Sequence, residues 1–332
     1  MPPYRIALAP MEGLVDHVMR DILTRAGGMD GCVTDFIRVT NTLLPARTYW
    51  RVSPELLRGG KTPAGVPVKI QLLGSDPICL ADNAARAAEL GAPGIDLNFG
   101  CPAKSVNRHR GGAVLLDEPA LLHDIVLAVR RAVPAHIPVS AKMRLGHLDT
   151  HLALDCARAL AEGGAAEIVV HARTKLDGYK PPAYWPWIAK IRETVSVPIV
   201  ANGEIWTPAD YMQCVQESGC RDVMLGRGLV ARPDLAMAIR TLTGHAHAST
   251  QAWETWLPYL GAYLEHVERK VDPRHVAGRI KQWLGYLRRT YQEADDLFYA
   301  VRKINTAAGL RPFFTGQDTH EKPQLSQSFI DD

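Results

Sequence analysis

The chain has 332 residues, 47% of them hydrophobic and 22% charged, with a formal net charge of +3. That is the composition of a globular protein that buries a real core, and so small a charge does not by itself announce a nucleic-acid binder. Six scattered cysteines without a Cys-x-x-Cys pair exclude a disulfide framework and the usual zinc-knuckle spacing, and no metal site is expected. With no signal-peptide h-region and no apolar run of membrane-spanning length, the expectation is a soluble cytoplasmic protein in a reducing compartment, away from membranes.

Short β-branched or apolar runs recur along the first two-thirds: 6–9, 32–34, 68–72, 94–97, 139–142, 167–171, 197–201 and 222–225. These eight runs fall at intervals of roughly thirty residues, the period of an α/β (β/α)8 TIM barrel. Amphipathic stretches between them predict helices, among them 80–90, 119–132, 152–162 and 208–218, with Thr207-Pro208 read as an N-cap followed by proline at the first helical position. A doubly wound open sheet is disfavoured, because no Gly-x-Gly-x-x-Gly follows the first run.

The C-terminal ends of these runs are polar: Met11-Glu12, Lys69-Ile-Gln71, Asn98, Lys142-Met-Arg144, His171-Ala-Arg173, Asn202-Gly-Glu204 and Gly226-Arg227-Gly228. In a barrel such ends form one ring around one pocket. Taken singly, Lys142 also reads as an ion-pair partner and His171 as a satisfied core histidine, but their collection on one rim is not explained by packing. The two glycine-flanked ends after the seventh and eighth runs sit where barrels commonly bind phosphate. The run at 94–97 turns through Asn98, Gly100 and Pro102 into a basic loop with Cys101 at the bend. A structural cysteine is usually buried as a small hydrophobe. Cys101, between glycine and proline in a polar loop, reads instead as reactive.

After Leu242 the period breaks. Residues 1–242 are expected to form the barrel, 243–250 a linker, 251–314 a small C-terminal helical bundle, and 315–332 a polar, disordered tail. Helical patterns cover 253–268, 274–292 and 295–305, with Trp256, Ile280, Trp283 and Leu284 as bundle core. Between Val271 and Pro312 eight Lys/Arg stand against four Asp/Glu, a surplus that exceeds the whole chain's +3. That surplus points to a polyanion partner, though a solvated helical face explains charge alone equally well.

Seven motifs in order resemble the tRNA-dihydrouridine synthases: Ala9-Pro-Met-Glu-Gly13, Val68-Lys-Ile-Gln-Leu-Leu73, Asp96-Leu-Asn-Phe-Gly-Cys-Pro102, Lys142-Met-Arg144, Val170-His-Ala-Arg-Thr174, Ala201-Asn-Gly-Glu204 and Leu225-Gly-Arg-Gly228. Asn202-Gly-Glu-Ile-Trp206 and Arg279-Ile-Lys-Gln-Trp-Leu284 resemble the C-type bacterial subfamily, which reduces the uridine at D-loop position sixteen. The resemblance implies FMN held by Pro10, Met11, Glu12, Gln71, Lys142, His171, Asn202, Gly203, Glu204, Gly226 and Arg227, with NADPH as reductant. It implies Cys101 as the general acid that protonates C5 of the uracil, and a thiol that must therefore arrive protonated. It assigns Asn98 and Tyr179 to the uracil, and Arg38, Arg279, Lys281, Tyr286 and Arg302 to orienting the tRNA. A monomer without a protein partner is expected.

Two departures stand out. Asp35 occupies a position where relatives usually have glutamate, and Arg110 one where a glycine is common. With Lys104, Arg108 and His109, Arg110 makes the loop after Cys101 unusually basic, which suggests extra phosphate contacts. The rival readings are an FMN barrel acting on a free small molecule, which has no use for the basic helices, and an inert RNA-binding barrel.

Overall fold

The computed structural model describes residues 4–247 and 251–314, so residues 248–250 of the expected linker and the expected tail from 315 lie outside the described residues. All eight runs form strands: β1 (Ile6–Leu8), β2 (Gly31–Val33), β4 (Val68–Leu73), β5 (Ile95–Phe99), β6 (Val139–Arg144), β7 (Glu167–His171), β8 (Ile199–Asn202) and β9 (Val223–Leu225). They pair in parallel around the ring β1-β2-β4-β5-β6-β7-β8-β9, and β9 returns to β1. The ring of eight is closed, so each of its strands is paired on both sides. A two-residue strand, β3 (Ile37–Arg38), was not anticipated. It hangs on the far end of β4, with Ile37 opposite Leu72 and Arg38 opposite Leu73.

Strand alternation sorts the side chains. One set, including Ile70, Leu72, Ile95, Leu97, Ala141, Ile168 and Val170, is buried in the main core under the surrounding helices. The alternate set turns into the barrel, where a small apolar cluster of Ala9, Val33, Val169, Val200 and Met224 shares the space with polar side chains. Lys69 belongs to that interior and not to the rim where the sequence suggested it: its Nζ lies 2.6 Å from Glu167 and 3.2 Å from the Ser140 hydroxyl. It precedes Gln71 by one inward-facing step, which places it a layer deeper.

The helices start where their caps are. Asp76 caps Pro77–Glu89 by accepting from the Cys79 N–H at 2.7 Å, so this helix opens three residues before the apolar pattern does. Thr207 and Asp210 form a reciprocal capping box at Pro208–Ser218. In the C-terminal segment, Trp253–Thr255 is a single 3-10 turn, after which Pro258 opens the helix Leu257–Lys270. The next helix is Pro273–Leu287 and ends earlier than the pattern implied. The chain turns there because Tyr291 is buried and its hydroxyl accepts from Trp256 Nε1 at 2.9 Å. The third helix is Gln292–Val301, stopped where Lys281 Nζ takes the carbonyls of Arg302 and Ile304.

The helical segment sits on the barrel through Trp283. This side chain is fully buried, meets Tyr263 edge-on with ring centroids 5.6 Å apart, and donates to the Val230 carbonyl at 3.2 Å. Val230 lies in the short helix Arg227–Ala231 that follows β9, so Pro273–Leu287 is seated beside the phosphate-type loops of the rim. No helix among the described residues is long and apolar enough to cross a membrane.

Candidate active site

A cavity of about 510 Å³ opens at the C-terminal ends of the strands. All eleven residues assigned to the flavin line it, together with Cys101, Asn98, Tyr179 and Tyr286. The flavin-assigned residues, Asn98 and Cys101 come from β1, β4, β5, β6, β7, β8 and β9 or from the turns just after them, so ring closure gathers them; Tyr179 comes from the loop after β7 and Tyr286 from Pro273–Leu287.

Below the floor, hydrogen bonds run from the barrel interior to the Cys101 loop. Ser140 donates to Asp96 Oδ1 at 2.6 Å, Gln71 Nε2 donates to Asp96 Oδ2 at 2.7 Å, and Asn98 Nδ2 donates to Gln71 Oε1 at 2.8 Å. Asn98 Oδ1 in turn accepts from the backbone N–H groups of Gly100 and Cys101, at 3.0 and 2.9 Å. Burial pushes the Asp96 carboxyl up, while Gln71, Ser140 and Lys69 pull it down. Asn98 is thereby engaged in holding the loop, and one N–H of its amide remains for a ligand.

The opposite wall is cationic. Lys142 Nζ donates to Asn202 Oδ1 at 3.0 Å, and Asn202 Nδ2 donates to the Met224 carbonyl at 2.7 Å. The Lys142 pKa is lowered to about 8, chiefly by removal from bulk water and then by Arg144, with Asp96 opposing. Burial holds His171 well below the usual histidine range, reinforced by Arg144, Lys142, Arg173 and Arg227, so its ring is neutral near pH 7. Glu204 gathers the charges at the β8 end: it pairs with Arg173, lies 3.4 Å from Arg227, and accepts from Trp206 Nε1 at 2.9 Å. Gly203 lets the backbone pass close to His171. Its φ is +118°, and a Cβ there would stand 2.9 Å from the His171 ring.

Cys101 is half-buried at the mouth. Burial pushes its thiol up and Glu12 adds to that, while the Ala103 N–H, Arg144 and Arg38 pull down. The net direction keeps the proton on sulfur, as a proton donor requires. Arg144, 2% exposed, braces the loop by donating to the Gly100 carbonyl at 2.8 Å and to the carbonyls of Thr174 and Gly178, both at 2.9 Å. Above it stands the exposed ring of Tyr179, with guanidinium carbons of Arg144 and Arg227 at 5.0 and 5.3 Å from its centroid.

A donor set of this kind fits a flavin: a lysine, a neutral histidine and amides around a cleft, with glycine loops and an arginine at one end. The comparisons with known proteins agree in family. Residues 7–311 match the family model described as dihydrouridine synthase. This chain belongs to the dihydrouridine synthase family. It is 60% identical to the tRNA-dihydrouridine(16) synthase of Aquipseudomonas alcaligenes over 90% of this chain and 95% of that protein. It is 55% identical to the protein of the same description from Cupriavidus necator, over 94% and 97%. Among solved structures it is similar to an old yellow enzyme homologue from Zymomonas mobilis, at a TM-score of 0.50 and 14% identity, covering 76% of this chain and 92% of the other. That likeness concerns the barrel fold.

In this family member the residues assigned to tRNA separate into two groups. Arg38 and Arg302 are exposed, and Tyr286 lines the cavity mouth. Arg279 instead donates to the Gly13 carbonyl and lies 3.0 Å from Asp16, which joins the helical segment to the loop after β1. Lys281 Nζ is surrounded by the Arg302 and Ile304 carbonyls and Asn305 Oδ1, at 3.1 to 3.3 Å. In the basic loop, Arg110 is held by both oxygens of Glu118 at 2.7 Å, leaving Lys104 and Arg108 as its exposed cations with no ion pair among the described residues. Burial pushes the Asp35 carboxyl up to about 7, and its Oδ1 is buried without a hydrogen-bond partner.

Among the cavity residues given no site role from the sequence are Arg144, Phe36, Trp206 and Gln282. Arg144 had a visible signal, since it stands two residues after Lys142 and so shares its face of β6. Trp206 and Gln282 reach the cavity from a loop and from the helical segment, where no strand period marks them.

Proposed function

We propose that this dihydrouridine synthase reduces the C5=C6 bond of uridine 16 in the D-loop of tRNA, with FMN as its flavin and NADPH as reductant. The observation that carries the reading is Cys101 on the cavity mouth, its thiol kept protonated by burial, facing a cationic wall within one closed barrel. A bound flavin supplies the hydride that adds to C6 of the uracil. Cys101 Sγ gives its proton to C5, so that hydride and proton together saturate the double bond. Lys142 supplies positive charge beside the reducing group, and neutral His171 offers a hydrogen bond without adding a second charge. Tyr179 offers an exposed ring to stack on the extruded base, which offsets the few kcal/mol of unstacking. Arg144 and Asn98 act through the loop, fixing Gly100 and Cys101 while the base enters. Both the cysteine loop and the basic helical segment belong to one chain, which supports action as a monomer, and a tRNA substrate fits a cytoplasmic enzyme.

The test is a map of dihydrouridine in tRNA from cells lacking the gene, with and without a Cys101→Ala copy. Loss of dihydrouridine at one D-loop position, restored by the wild-type gene and not by the alanine copy, is the expected result. Loss at a different position would refute the assignment to uridine 16. An unchanged map would refute the activity.

A further inference from the structure

Arg279, Gln282, Tyr286 and Arg289 follow one another at steps of three, four and three residues, which puts them along one side of the helix Pro273–Leu287 and its C-terminal turn. The four make different contacts in a consistent order. Arg279 is fastened to Gly13 and Asp16 beyond β1. Gln282 and Tyr286 line the cavity. The Arg289 guanidinium lies 3.9 Å from the ring centroid of Trp206 in the loop after β8. The helix therefore lies across the cavity mouth, attached at one end by an ion pair and at the other by a stacked pair.

The two attachments differ in what they leave over. Arg279 has a carboxylate; Arg289 is exposed, with no ion-pair or side-chain hydrogen-bond partner among the described residues. Trp206 beneath it is fixed by its own Nε1 bond to Glu204 at 2.9 Å. Arg227, 5.0 Å from the same indole, has its charge partly met by Glu204. The result is a guanidinium on the rim, held over an indole, with no ion-pair or side-chain hydrogen-bond partner among the described residues. A stacked guanidinium keeps its charge and its donors, and its ordering cost is met before a ligand arrives.

We propose that Arg289, seated on Trp206, is a phosphate-binding site for the RNA backbone beside the nucleotide that enters the cavity. The inference rests on the tRNA reading above. Three sources of phosphate compete for such a rim: the flavin, the nicotinamide dinucleotide and the RNA backbone. The exposed position of Arg289 outside the cavity lining and the basic surplus of its segment favour the backbone.

The experiment uses the full-length, flavin-loaded protein and unmodified tRNA transcript, comparing wild type with Arg289→Gln and Arg289→Lys. Affinity is measured across a salt series, together with KM for tRNA and for NADPH and the flavin content by absorbance. For Arg289→Gln the slope of log affinity against log salt should flatten by about one phosphate contact, and KM for tRNA should rise about three- to tenfold. Arg289→Lys, which keeps the charge but not the planar fork, should fall between. Flavin content and KM for NADPH should follow the wild type. A raised KM for NADPH or a lost flavin with tRNA affinity intact would assign the phosphate to the other sources and overturn the proposal. So would an unchanged salt slope with only a lower melting temperature, which would make the pair a docking contact. If the wild type modified no tRNA, the functional reading itself would fail; a working wild type with an indifferent Arg289 would sink this inference alone.

Discussion

Lys142 illustrates how one buried side chain carries both a cost and a use. Its ammonium sits in the cavity 3.0 Å from Asn202 Oδ1, with a pKa lowered from 10.5 to about 8. Between those values the unfolded chain holds a proton that the folded chain has released, so this residue makes stability rise with pH across that window. Below about 8 both states are protonated and the full penalty of burying the charge is present. In the flavin-free protein, Lys142→Met should therefore be more stable than the wild type at pH 7. The gain should be about 1–2 kcal/mol after allowing for the donor lost by Asn202. The gap should close toward pH 10, as urea unfolding at the two pH values would show. The same variant should bind FMN more weakly, because the charge that burdens the empty fold is the one proposed to face the reduced cofactor. Were its stability gain the same at both pH values, the lysine would be keeping its ordinary pKa in the cavity.

At the scale of elements, the turn after β5 is held from both sides. Asn98 takes two backbone N–H groups in front, while behind it the Cys101 carbonyl accepts from Asn107 Nδ2 at 2.9 Å and from the Ala113 N–H at 3.0 Å. Gly112 makes that packing possible. Its φ is +67°, and a Cβ there would stand 2.7 Å from the Cys101 carbonyl and 2.9 Å from the Cys101 Cβ. Gly112→Ala should displace the cysteine while leaving the flavin residues, which sit on other strands, in place. Dihydrouridine formation should drop by about tenfold or more, since about 1.4 kcal/mol of misplacement is enough for that. Flavin absorbance of the purified variant should persist; its disappearance together with activity would mean that the loop supports the whole cavity.

Across the whole molecule, the helical segment completes the barrel's site. Trp283 is buried between Tyr263 and the helix after β9, and Pro273–Leu287 puts Gln282 and Tyr286 into the cavity wall. Trp283→Ala should cost about 3–5 kcal/mol, the usual range for emptying so large a core position. Because that core joins both parts, denaturation followed by flavin release and by far-ultraviolet dichroism should give one shared transition at a lower midpoint. Two separated transitions in the wild type would show instead that the helices and the barrel fold as independent units.

The eight-strand period, the polar strand ends and the bend at Cys101 were legible in the sequence because each is a local matter of alternation and turn chemistry. Period two also made the mate of Lys142 on β6 readable, though it could not tell that Lys69 lies a layer below the rim, since depth depends on the stagger of neighbouring strands. Nothing local distinguishes Arg279, attached to Gly13 and Asp16, from Arg289, stacked on Trp206. Both are arginines on one side of one helix. Which of them keeps unfilled donors is decided by partners more than two hundred residues away for Arg279 and more than eighty for Arg289, and those partners are brought near only when the helical segment comes to rest across the closed barrel.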